Sequence, residues 1–347
     1  DLLHEMDFTI FNLEVPLTDV ISPLQKCGPN LQALSKTING IKKLNPYFFT
    51  LANNHILDQS VQGLKSTMEI LNRENIKYAG AGNDLKEASK PFVFEKNGIK
   101  IGIYCCAERE FSIATENKAG ANPFDPLFSL DHIRLLKKDV DYVIVLYHGG
   151  KEHYRFPSPN LQKTCRRIVD SGADLVVCQH SHCIGCYEDW ETGKIIYGQG
   201  NFLFDDSDSE FWKTSLLIEI IFKSKNDFSI EYIPIIKVGN GIRLAENEKK
   251  VEIINGFEDR SKRIIESAFI EAEYSKFAQQ YINTYLRTGM PHNTSLFNRV
   301  FNKLSKGTWF ERRITKEQKL ALCNYLECEA HRELFLQGLK ESLRKSS

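Results

Sequence analysis

The chain has 347 residues, 42% hydrophobic and 26% charged, which is enough for a sizeable core in one large domain or two ordinary ones and too apolar for a disordered chain. Its 45 Lys and Arg balance its 45 Asp and Glu, so charge gives no electrostatic case for nucleic acid or an anionic membrane surface as the main partner. No apolar run approaches the roughly 18–20 residues that span a bilayer, and the first residues carry no secretory signal pattern.

In chain order, Phe8 to Leu13 and Tyr47 to Ala52 read as short buried strands. Ser60 to Asn75 reads as a helix: Val61, Leu64, Met68 and Leu71 recur at helical spacing, with Ser60 as N-cap. Phe92 to Glu95 and Lys100 to Cys106 are strands joined by Lys96-Asn97-Gly98, a hairpin signal. Val140 to Tyr147 is a continuous apolar run suited to a central strand. A helix follows over Asn160 to Ser171, with Leu161, Cys165, Ile168 and Val169 on one face and Gly172 ending it. Asp174 to Gln179, Lys194 to Phe204, Thr214 to Phe222 and Phe228 to Val238 all read as strands. The pattern predicts an α/β domain over residues 1–240, a mixed sheet or two stacked sheets covered by helices. Gly239-Asn240-Gly241 and the polar stretch Glu246 to Lys250 read as a linker to a charge-rich helical region over 256–347, interrupted at Pro291-His292-Asn293.

Nine cysteines is an odd count, and adjacent Cys105 and Cys106 on a strand face opposite ways. The pattern reads as reduced thiols and points to a cytoplasmic setting. The first residues are Asp1-Leu2-Leu3-His4, with no initiator Met, so a fragment or processed product is expected.

Four stretches end predicted strands with metal-ligating side chains: Phe11-Asn12-Leu13-Glu14, Leu51-Ala52-Asn53-Asn54-His55, Leu146-Tyr147-His148-Gly149-Gly150 and Gln179-His180-Ser181-His182. Singly, each has a bland reading as a turn or a solvated histidine. Together they matter, because ligand sites in α/β sheets lie beyond the carboxyl ends of strands. If strand geometry persists past Gln179, the period of two aims His180 and His182 to one side. Imidazole, carboxylate and amide oxygen suit manganese, iron or zinc better than magnesium or calcium.

Taken in order, Asn12-Leu13-Glu14 with Pro16, Ala52-Asn53-Asn54-His55 with Asp58, His148-Gly149-Gly150 with Glu152, His180 with His182, and YGQGNF over Tyr197 to Phe202 resemble the capsule-synthesis CapA family of poly-γ-glutamate biosynthesis. Gly80-Ala81-Gly82 and Ser171-Gly172-Ala173-Asp174 resemble it too, and the likeness extends to about residue 238. It implies a calcineurin-like metallophosphoesterase sandwich of mixed sheets flanked by helices. It also implies two divalent metal ions (Mn, Fe or Zn), with Glu14 as bridging carboxylate and Asn54, His148, His180 and His182 as further ligands. His55 would stand near the leaving group with Asp58 as its partner, Glu152 would act in the outer sphere or on substrate, and Asn12, Asn53 and Asn201 would line the substrate cleft. The implied activity is hydrolysis of a phosphoester or an envelope polymer, with a small-molecule or polymer substrate and other capsule-synthesis proteins as partners. Capsule proteins of this kind are often membrane-anchored, but no anchor is evident in these residues.

The Gly-Asp motif that opens such sequences is absent, and neither Asp1 nor Asp7 takes its place. That departure, with the helical extension, motivates a rival reading: a non-catalytic subunit of a capsule polymer assembly. A third reading is a Cys/His zinc module built on Cys183-Ile184-Gly185-Cys186. Trp309 to Arg313, and Glu327 one turn before His331, read as solvated helix faces.

Overall fold

The computed structural model describes residues 2–204, 209–239, 241–289 and 314–327, with scattered positions from 331 to 343. The chain divides into two compact units, Asp1–Tyr274 and Ser275–Ser347. In the second, Lys316–Glu327 is a helix. Pro291-His292-Asn293 and Trp309–Arg313 lie outside the described residues.

The first unit is built on a six-stranded sheet of order β10-β11-β9-β8-β6-β5. Its strands are β5 (Phe92–Lys96), β6 (Ile99–Ala107), β8 (Tyr142–His148), β9 (Leu175–Gln179), β10 (Tyr187–Trp190) and β11 (Gly193–Ile196). β6, β8, β9 and β11 run parallel, and β5 and β10 pair antiparallel at the two edges. All seven residues of β8 are buried, as a parallel strand covered on both faces requires.

Alternation sorts these strands between two cores. Tyr104, Cys106, Val143, Val145, Tyr147, Val176 and Cys178 pack with Ile133 and Leu136 of a helix over Ser129–Asp139, and with Leu161, Cys165, Ile168 and Val169 of a helix over Pro159–Asp170. Ile101, Ile103, Cys105, Ile144, Leu146 and Val177 face the other way. They meet Phe48 of a parallel sheet β1-β2-β3 (Ile10–Asn12, Phe48–Thr50, Lys77–Ala79) and Leu216 of an antiparallel sheet β12-β13-β14 (Thr214–Phe222, Phe228–Val238, Gly241–Leu244). The far side of β1-β2-β3 buries Phe49 against Leu64, Met68 and Leu71 of helix Ser60–Arg73. The result is four layers: helices, sheet, sheets, helix. Cys105 and Cys106 lie on opposite faces, as alternation predicts.

Several expectations are corrected. Ser60 does not cap its helix: the N-cap is Gln59, and the Ser60 hydroxyl donates to Ser22 O at 2.8 Å. The strand expected over Lys194–Phe204 stops at Ile196, because the glycines of YGQGNF turn the chain at Gly198 and Gly200 (φ 153° and 83°). The expected linker is structured: Val238 pairs with Gly241 across a β-hairpin, and Asn247–Arg263 is a helix beginning inside the polar stretch. That helix buries Phe257 against Tyr187 and Tyr232, with ring centroids 5.2 and 4.8 Å away. Asp7 pairs with Lys96 at 2.9 Å, on the surface. No described helix is long and apolar enough to cross a membrane.

Candidate metal centre

Parallel strands deliver their carboxyl ends to one edge, and the register aligns those ends closely. His148 is opposite Gln179 on one side and Ala107 on the other, and Asn12 is opposite Thr50 in the facing sheet. The segments that follow carry Glu14, Asn54, Glu110, His148, Glu152, His180 and His182.

Four donor atoms converge on one point. Nε2 of His148 lies 3.1 Å from Asn54 Oδ1, 3.2 Å from His180 Nδ1 and 3.5 Å from Glu14 Oε1. Glu14 Oε1 is also 3.8 Å from His182 Nε2. Two sets of donor atoms lie within 4.8 Å of one another: Glu14, His148 and His180, and Glu152, His180 and His182. His180 is common to both. Glu152, expected in the outer sphere or on substrate, brings its carboxylate among these donors.

Outer contacts orient the donors. Glu14 Oε2 accepts from Asn12 Nδ2 at 2.8 Å, and Oε1 is buried without a hydrogen-bond partner. Asn54 Nδ2 donates to Glu110 Oε2 at 3.1 Å, which turns Oδ1 toward His148. His182 Nδ1 lies 2.8 Å from Asn201 Oδ1, which leaves Nε2 for the centre. Asn53 is fully buried: its amide nitrogen donates to Asn12 Oδ1 and Leu13 O, and its oxygen accepts from His55 N–H, so its polar groups serve the fold behind the site.

His180 and His182 do converge, but not by strand alternation. β9 ends at Gln179, and both histidines take left-handed backbone (φ 91° and 53°). Non-glycine residues pay ~1–3 kcal/mol for such conformations, which persist where surrounding structure fixes them. Trp212 supplies part of that constraint, stacked on the His182 ring at 5.3 Å and 13°.

Protonation states favour a cation. Burial, with His180, His182 and His55 nearby, holds His148 well below the usual imidazole range. Burial also lowers His180, and pushes His182 down to about 4 against the opposing Asn201 bond. Burial and then the Glu152 charge push Glu14 up to about 8. Lowered imidazoles beside a raised carboxyl group form a donor set that a divalent ion would complete, since its charge would reverse that balance. The orphaned Glu14 oxygen fits the same group.

His55 stands outside both donor sets. Its Nδ1 is 2.6 Å from Asp58 Oδ2, and Asp58 also accepts from Leu31 N–H at 2.6 Å and pairs with buried Lys26. Lys26 Nζ also lies 3.5 Å from His55 Nδ1, so both polar neighbours of the ring gather at that nitrogen.

Sequence reasoning missed Glu110, Glu108 and Lys26. The two glutamates follow Ala107, where β6 ends, and the strand-end rule that found the other motifs reaches them. Glu108 also explains Gly149: a Cβ there would lie 2.6 Å from the Glu108 carboxyl carbon and 2.5 Å from the Tyr147 ring. Lys26 sits in a long loop with no local signal. Cys183 and Cys186 are fully buried, with burial raising both thiols, Cys183 to about 11. No cysteine among the described residues joins a metal-donor group.

The family model for bacterial capsule synthesis protein PGA_cap matches residues 1–206, and the chain belongs to that family. The PGA biosynthesis protein CapA of Bacillus subtilis (strain 168) is 31% identical over 239 residues, covering 67% of this chain and 62% of its own length. The capsule biosynthesis protein CapA of Bacillus anthracis is 28% identical over 242 residues, covering 67% and 59%. The chain thus spans about three-fifths of these relatives. Among solved structures, a putative 5'-nucleotidase from Staphylococcus aureus aligns with TM-score 0.42 and 14% identity over 64% of this chain and 44% of its own. A novel phosphatase from Mycoplasma pneumoniae aligns with TM-score 0.42 and 14% identity over 71% and 85%.

Proposed function

We propose that this chain is a divalent-metal-dependent hydrolase of the metallophosphoesterase type, serving capsule or poly-γ-glutamate synthesis and acting on a phosphoester or an envelope-polymer substrate. The observation that carries the reading is the convergence of Glu14 Oε1, Asn54 Oδ1, His148 Nε2 and His180 Nδ1, with His182 and Glu152 alongside. The family membership supports the biological setting.

Glu14, Asn54, His148 and His180 would hold one ion through the atoms gathered at His148 Nε2, and His182 and Glu152 would serve a neighbouring one. Manganese, iron or zinc bound there would neutralise developing oxygen charge and ease deprotonation of water. The chain supplies the rest. His55, its Nδ1 beside Asp58, can carry a proton on Nε2 and deliver it to a leaving oxygen. Glu110 holds the Asn54 amide in its donor orientation. Trp212 and Phe204, 5.3 and 5.2 Å from the His182 ring, flank that side with apolar surface.

The test pairs elemental mass spectrometry with hydrolysis of bis-p-nitrophenyl phosphate and p-nitrophenyl phosphate. About two transition-metal ions per chain are expected, with most metal lost in His148→Ala. His55→Ala should retain metal and lose ~10²–10⁴-fold in turnover. A chain that binds no divalent metal would sink the hydrolase reading and favour a binding role in polymer assembly.

A further inference from the structure

A cavity of about 280 Å³ lies outside the metal centre, with Arg155, Glu210, Thr214, Glu252, Gly256 and Arg260 among its lining residues. That volume is near the lower end of small-molecule sites, ~300–1,000 Å³. The chain links it to the centre: Arg155 is two residues beyond His153, whose ring is 6.3 Å from that of His182, and Glu210 is two residues before Trp212, which stacks on His182.

Two arginines and two glutamates line this cavity, but both glutamates are paired with cations other than Arg260. Arg155 is committed: Nη1 donates to Ile184 O at 2.9 Å, Nη2 pairs with Glu210 at 3.1 Å, and its guanidinium lies 4.7 Å over the Phe211 ring. Glu252 is tied to Lys249 at 2.7 Å. Arg260 donates Nε to Gly185 O at 2.7 Å, and no carboxylate among the described residues forms an ion pair with it. A Cβ on Gly256 would sit 3.2 Å from Arg260 Nη1, so the glycine leaves room for the guanidinium. Burial and the neighbouring Arg155 charge push Arg260 down to about 10, against a smaller opposing pull from Glu210. An arginine held this way presents a planar fork suited to two oxygens of one anion.

We infer that this cavity is a second binding site that takes an oxyanion, the carboxylate or phosphate of a small ligand, on the free guanidinium nitrogens of Arg260 with Arg155 beside them. The inference stands independently of hydrolysis at the metal centre, because none of the residues that hold the anion is a metal donor.

The test is calorimetric titration of the full chain, stripped of metal by dialysis against chelator, with glutarate and separately with inorganic phosphate. Binding of at least one is expected. Arg260→Gln should weaken it about tenfold or more, the loss of a charge-assisted pair. Glu252→Gln, at an exposed position, removes an opposing carboxylate and should tighten it, and this variant decides the matter if Arg260→Gln does not fold. Glutarate binding alone assigns a carboxylate ligand and phosphate binding alone a phosphoryl ligand. Failure of both anions to bind overturns the inference. So does undiminished binding by folded Arg260→Gln, or unchanged affinity in Glu252→Gln.

Discussion

Burial and the Glu152 charge raise the Glu14 carboxyl to about 8, and a cation sharing its cavity would draw it back down. In the metal-free protein, folded Glu14 holds its proton up to about 8 while the unfolded chain releases it near 4.5. Across that window the unfolded state is increasingly favoured, so the Glu14 contribution to stability falls as pH rises, by up to ~5 kcal/mol when complete. Glu14→Gln removes this slope. Metal-stripped wild type and Glu14→Gln should melt at similar temperatures near pH 4.5, with the variant increasingly the more stable toward pH 8. Scanning calorimetry at several pH values checks this, and the histidines cancel in the comparison. A gap that does not widen with pH would mean Glu14 is not under this strain. Glu110 acts at one remove. It holds Asn54 Nδ2 at 3.1 Å and lies 3.7 Å from His180 Nε2, at a side chain 36% exposed. Glu110→Ala should therefore leave the fold intact and weaken metal affinity ~10–100-fold. Titration with manganese or zinc reads this directly, and unchanged affinity would assign Asn54 its orientation from elsewhere.

At the scale of elements, what could be read from sequence was what has a period. β8, β6 and the helix over Pro159–Asp170 announce themselves by runs or by 3.6-residue spacing, and the helix carries its start signal in Ser158 and Pro159. The Ser158 hydroxyl accepts from Leu161 N–H at 3.1 Å, so Ser158→Ala should cost ~1 kcal/mol in urea denaturation. Ile103 lies fully buried between the stacked sheets, and Ile103→Ala should cost ~2–5 kcal/mol, most of it cavity and lost transfer energy. Lys77–Ala79 was not legible, because three residues are too few to show a period and its pairing with β2 is decided by the tertiary fold. The site divides the same way. Glu14, Asn54, His148 and the two later histidines could be seen because each follows a recognisable strand. Lys26 could not, since only the folded loop brings it to Asp58, and the left-handed turn at His180 has no signature in a run that reads as strand.

The whole molecule makes a further demand, because the family match ends at residue 206 while the compact unit runs to Tyr274. The segment between completes the core. Phe257 and Ile253 of helix Asn247–Arg263 cover the inter-sheet core, Arg260 holds Gly185 O, and Ser261 Oγ accepts from Tyr187 N–H at 2.8 Å. Those contacts grip the loop that leaves His182, so the helix serves the metal centre as well as the core. A chain ending at Val238 would expose Tyr187 and Tyr232 and leave the Tyr187 N–H unpaired. Losing a buried aromatic such as Phe257 alone costs ~3–5 kcal/mol, a large fraction of the ~5–15 kcal/mol that holds a typical domain. Such a chain should bind a hydrophobic dye, unfold without a sharp urea transition and take up little metal. A chain ending at Tyr274 should unfold cooperatively and carry the full chain's complement of metal. If the Val238 chain folds sharply and binds metal equally well, the histidine loop is held by the sheets alone, and the helix is a passenger on the body that carries the donor set.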